Sequence, residues 1–98
     1  MEVTRSLTEF QQKCEGELCS ALAARGLAVT DRVLAGESET YIRASIRGTD
    51  IVVYIYEDEA QFHKAGKRAG IFEHQDFSDA AQLQKAFISG VVEAAHDS

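Results

Sequence analysis

The chain has no proline, no tryptophan, one methionine and two cysteines in 98 residues. A collagen-like repeat needs regular proline, so that class is excluded. No Pro- or Gly/Ser-rich stretch breaks the chain into parts, so residues 1–98 read as a single domain. Two cysteines cannot form a disulfide framework. No apolar run reaches the length of a membrane span. Met1 to Phe10 lacks a basic stretch followed by an apolar one, so no secretory leader is expected. Positive charge is scarce too. Ten Lys and Arg face sixteen Asp and Glu, a formal net charge of −6. Nucleic-acid binders usually carry a basic footprint, so nucleic acid is a disfavoured partner and a basic protein a favoured one.

What is present is ordinary globular material, 45% apolar and 27% charged, enough for one core. Ser6 and Glu9 have capping-box spacing, and Leu7, Phe10, Cys14, Leu18 and Ala21 follow at helical intervals. Gly26 supplies the stop. On that helix Cys14 and Cys19 are about 8–9 Å apart and about 140° around the axis from one another. They cannot bridge, and no further ligands nearby complete a zinc site. Cys14 belongs to the apolar stripe and Cys19 to the exposed side. Two free thiols point to a reducing compartment, the cytoplasm.

Residues 28–34 read as a strand. The next stretch is the most informative. Ile42, Ala44 and Ile46 alternate with Tyr41, Arg43, Ser45 and Arg47. Ile51, Val53 and Ile55 alternate with Val52, Tyr54 and Tyr56. A two-residue type II′ turn at Gly48-Thr49 sets Ile46 against Ile51, Ala44 against Val53 and Ile42 against Ile55. It also sets Arg47 against Asp50 and Tyr41 against Tyr56, and a one-residue slip would destroy the match. Residues 60–65 suit a short strand or a helical turn. Residues 66–70 read as a flexible basic loop tip, and residues 71–75 as a short fourth strand.

The last helix is expected from Asp76 or Ser78 to about His96. Leu83, Ala86, Phe87, Gly90, Val91 and Ala94 make one stripe; Ile88, Val92 and Ala95 make a second. Gly90 would let a neighbouring backbone come close. The expected fold is an α+β two-layer sandwich. Its order is helix, three-stranded antiparallel meander, short fourth strand, helix, with both helices on one sheet face.

This order resembles that of double-stranded-RNA-binding domains at the level of topology. Those domains hold phosphates with a basic cluster at the start of the last helix. Here that position reads Ser78-Asp79-Ala80-Ala81, so no function is carried over. Small acidic secretion chaperones are similar in topology only.

The candidate partner-binding residues are Tyr41, Arg43, Arg47, Val52, Tyr54 and Tyr56 on the outer sheet face, with Ile88, Val92 and Ala95 on the last helix. Tyr and Arg dominate recognition hot spots, and an unpartnered helix stripe suits a partner helix or a homodimer seam. An acid–histidine set (Glu57, Asp58, Glu59, His63, Glu73, His74, Asp76) could converge for metal or acid–base work. It lacks any His-Glu-x-x-His or calcium-loop spacing. Nuclease chemistry would need an acid-x-Lys pair that Asp50 to Tyr56 does not contain. Gly66 and Gly70 lack the setting of a phosphate loop.

No catalytic residue, metal or cofactor is therefore assigned. The expected function is a small acidic, non-enzymatic protein-binding module of inhibitor, immunity, adaptor or chaperone type. The alternatives are a metal- or ligand-binding enzyme on the acid–histidine set, and a single-stranded nucleic-acid binder on the tyrosines.

Overall fold

The structure is a computed structural model that describes residues 7–37 and 40–96. The elements are α1 (Glu9–Ala23), β1 (Val29–Ala35), β2 (Tyr41–Ile46), β3 (Ile51–Ile55), β4 (Ala60–Lys64) and β5 (Lys67–Phe72). A 3₁₀ turn (His74–Asp76) and α2 (Ala80–His96) follow. The strands form one antiparallel sheet in the order β1-β2-β3-β4-β5. The fold is α+β with helices packed on a sheet, but the sheet has five strands rather than three and a short fourth.

Helix α1 is opened by Thr8 and Gln11. The Thr8 hydroxyl accepts from the Gln11 backbone N–H at 3.2 Å, and the Gln11 side-chain amide oxygen accepts from the Thr8 N–H at 2.9 Å. The expected cap, Ser6, lies outside the described residues. Gly26, at φ +76°, turns the chain at the other end, and the Leu27 N–H donates to the Leu22 carbonyl at 2.9 Å. This closes the last turn as a Schellman motif does.

The β2–β3 register matches the apolar alternation, with Ile42 opposite Ile55 and Ala44 opposite Val53. The turn itself differs. It spans four residues, with the Thr49 N–H and hydroxyl both donating to the Ile46 carbonyl at 3.1 and 2.8 Å. The Thr49 hydroxyl also accepts from the Ile51 N–H at 3.1 Å. Lengthening by one residue on each side leaves the register unchanged. Arg47 and Asp50 become turn residues, and among the described residues no ion pair joins them.

The largest departure is the β4–β5 hairpin. Ala65 (φ +55°) and Gly66 (φ +80°) form a tight turn with both residues left-handed, as a two-residue hairpin with the sheet's twist requires. Lys64 pairs with Lys67 across it. Lys67 to Gly70, read from sequence as a loop, is therefore strand. The register slips between Phe62 and His63, and a second irregularity at Asp31 and Arg32 interrupts β1. Arg32 leaves the sheet there and grips Glu15 of α1 with two hydrogen bonds, at 2.5 and 3.1 Å. Both edge strands are thus bulged, a device that discourages strand addition.

Burial alternates along β2, β3 and β4. The buried face, Ile42 through Phe62, joins Cys14, Leu18 and Leu22 of α1 and Leu83, Phe87 and Val91 of α2 in one core. Both helices cover that face. The start of α2 is held by Asp79, whose carboxylate accepts from the Gln82 N–H at 2.9 Å. The expected cap residue Asp76 belongs instead to the 3₁₀ turn. Gly90 does admit close neighbours, but they are rings. A Cβ there would stand 3.3 Å from Phe62 and from Phe72, and one at Gly70 would stand 2.6 Å from Phe62. Phe62 therefore occupies space that two glycines leave open. No helix among the described residues is long and apolar enough to cross a membrane.

Candidate functional site

With both helices on one side, no described helix packs on the other face of the sheet. Strand pairing builds two rows across it. One runs Val33–Arg43–Tyr54–Gln61–Ile71 through all five strands. The next runs Thr30–Ser45–Val52–His63–Arg68. Val33 and Ile71 end the first row and are the exposed large apolar residues among the described residues, at 41% and 47%.

Beside these rows the tyrosines gather. The Tyr41 and Tyr56 ring centroids are 4.7 Å apart, Tyr41 and Tyr54 6.4 Å, and Tyr54 and His63 4.8 Å. Such tilted contacts suit the ring quadrupoles and hold the side chains without helices above them. All three tyrosines are half-buried. The Tyr56 hydroxyl accepts from the Gln61 amide at 3.2 Å. Burial raises the Tyr56 phenol above its ordinary pKa, neighbouring Tyr41 and Tyr54 add to this, and the Gln61 hydrogen bond opposes it. The hydroxyl thus stays protonated and able to donate. The His63 Nε2 is buried without a hydrogen-bond partner, an uncompensated polar atom in the middle of the face. A shallow cleft of about 370 Å³ runs past Asp31, Arg43, Val52 and Tyr54.

The structure thus brings Tyr41, Arg43, Val52, Tyr54 and Tyr56 together on one surface, with Arg47 at its end in the β2–β3 turn. Val33, Gln61, His63, Arg68 and Ile71 share that face and were not among the partner-binding residues expected from sequence. The β1 bulge places Val33, the β3–β4 pairing places Gln61 and His63, and the fifth strand places Arg68 and Ile71.

The helix residues lie in the other layer. Val92 and Ala95 are buried within the chain, at 9% and 8% exposure. Ile88 is half-buried and lines a cleft of about 440 Å³ between α1 and α2, with Arg25, Glu93 and His96 at its polar rim.

The acid–histidine set divides. His63 sits under Tyr54 on the outer face. His74, beyond β5, meets the β3–β4 turn instead, its Nδ1 3.0 Å from Glu59 and 3.5 Å from Asp58. These three ligand atoms lie within 4.8 Å of one another, and Asp58 and His74 are open to solvent. Exposed contacts of this kind are weak, and Glu57, Glu73 and Asp76 do not join the group. Cys14 is buried and Cys19 exposed, both as free thiols.

No protein-family model matches the chain, and neither a curated protein nor a solved structure shows significant similarity to it.

Proposed function

We propose that the chain is a small acidic, non-enzymatic protein-binding module that works through the outer face of its sheet. The observation that carries this reading is the row from Val33 to Ile71, which sets Arg43 and Tyr54 between two exposed apolar ends. Tyr and Arg give large, rigid contact area and strong directed hydrogen bonds, and they dominate binding energy where they are central. The surface is broad and shallow, which suits another protein better than a small substrate that must be engulfed. The class is that of an inhibitor, adaptor or chaperone. Two free thiols support the cytoplasm as its compartment.

The test compares two baits in the host's own lysate, the wild-type chain and Val33→Asp/Ile71→Asp. Both sites are exposed, so the variant is expected to fold. A protein retained stoichiometrically by the wild type and lost by the variant supports the reading. Equal capture by both, or only a homodimer that persists in the variant, counts against it.

A further inference from the structure

We infer that the segment docking on the outer sheet face is an acidic polypeptide, although the chain itself carries a net charge of −6. This deepens the binding-face reading and rests on it. Net charge favours a basic partner, but charge is not spread evenly. The cross-strand paired positions on the outer face carry Arg43, Arg68 and the imidazole of His63, and no carboxylate. Asp31, in the β1 bulge, is the carboxylate that borders the shallow cleft, and no ion pair ties it to Arg43 among the described residues. The acids collect elsewhere. Glu57, Asp58 and Glu59 fill the β3–β4 turn, and Glu73, Asp76 and Asp79 lie between β5 and α2.

The donors on this face are also unspent. Arg32 is satisfied by Glu15, whereas Arg43 and Arg68 make no ion pair within the described residues. The Tyr56 hydroxyl accepts from Gln61 and keeps its proton to give. A surface of free guanidinium and phenol donors matches carboxylate acceptors, and charge-assisted bonds of that type are the strong ones.

The geometry sets a spacing. Arg43 on β2 and Arg68 on β5 are three strands apart and offset by one cross-strand row, so about 16 Å separates them. An extended partner reaches this with carboxylates about five residues apart, and a helix with about three turns between them. A second copy of this chain stacked face to face would bring four arginines together over paired positions that supply no carboxylate, which disfavours self-pairing. A nucleic acid would approach a chain holding sixteen carboxylates, and long-range repulsion disfavours it.

The experiment selects phage-displayed random dodecapeptides on the full chain and measures the winners by fluorescence anisotropy. Poly(U) and sedimentation of the chain alone run alongside. The expected winners are rich in Asp and Glu as well as apolar residues. Their affinity falls about tenfold in Arg43→Gln/Arg68→Gln, recovers in part with lysine at both positions, and weakens with salt. Neutral or basic winners that Val33→Asp/Ile71→Asp abolishes, and the arginine variant does not, overturn the acidic partner and leave the binding face standing. Poly(U) binding or self-association through this face, with no peptide selected, overturns both.

Discussion

Val33 and Ile71 stand at opposite ends of one row that crosses all five strands, and the chain between them is Arg43, Tyr54 and Gln61. Their exposure is not a packing failure. The inner face takes the large aliphatic side chains, and Ile42, Ile51 and Ile55 are sealed under two helices. The outer face keeps apolar side chains in the open at the very strands where a sheet is most vulnerable to association.

That difference predicts unequal costs for substitutions on the two faces. Val33→Thr and Ile71→Thr should each change stability by no more than about 0.5 kcal/mol, because little apolar area leaves the folded state. Ile55→Ala, on the inner face, should cost about 2–5 kcal/mol through lost burial and a residual cavity. Urea unfolding of the three variants reads this directly. A large loss at Ile71 would mean that the outer face is covered.

Gln11 is a buried polar side chain with every group used. Its amide nitrogen donates to the carbonyls of Thr40 and Ile55, at 2.8 and 3.2 Å, and its oxygen accepts from the Thr8 N–H. It ties the start of α1 to the end of the β2–β3 pair. Gln11→Ala should lower stability by about 2–3 kcal/mol, since the Thr8 N–H and the Thr40 and Ile55 carbonyls lose their partner at once. Gln11→Met should fare no better, because restoring volume restores no hydrogen bond. Rescue by Met would show that packing alone matters at this position.

Ala65 holds φ +55° in the β4–β5 turn, a region that costs an L-residue with a Cβ about 1–2 kcal/mol. Asparagine tolerates it far better, and Asn-Gly is the preferred pair for such turns. Ala65→Asn should therefore raise stability by about 0.5–1 kcal/mol, seen as a higher melting temperature. A lower melting temperature would mean that the turn is not the tight left-handed one described.

The same residue explains what the sequence hid. The β2–β3 hairpin was legible because two alternating apolar runs meet around an even-numbered turn, so the register survives an error in turn type. The β4–β5 hairpin lacks that protection. Its turn opens with alanine where Asn or Asp would have signalled it, and Gly70 sits where alternation calls for an apolar side chain. The ring of Phe62 fills that position, a relation no local pattern encodes. The tyrosine cluster followed from the β2–β3 register alone. Arg68 and Ile71 did not, because they reach the face only once β5 exists. The second apolar stripe of α2 was legible as a stripe, but sequence could not tell that Val92 and Ala95 would be buried within the chain.

The two cysteines offer a contrast within one helix. Burial, with Glu17 and then Glu15 adding, pushes the Cys14 thiol up to about 12 from an ordinary 9.0. Cys19 is exposed, and its pKa is raised by its partial burial and by Glu15, with Arg32 opposing. In the native protein a disulfide reagent should modify one thiol, Cys19, and in denaturant two. The raised Cys14 pKa also fixes a sign. Between 9.0 and about 12 the folded state keeps a proton that the unfolded state has lost, so stability falls as pH rises through that window. Each proton so retained costs about 1.4 kcal/mol per pH unit at most. Cys14→Ala should start from a lower stability, because a buried group is removed, yet decline less steeply above pH 9. Parallel declines in the two proteins would show that the Cys14 thiol ionises as readily in the fold as outside it.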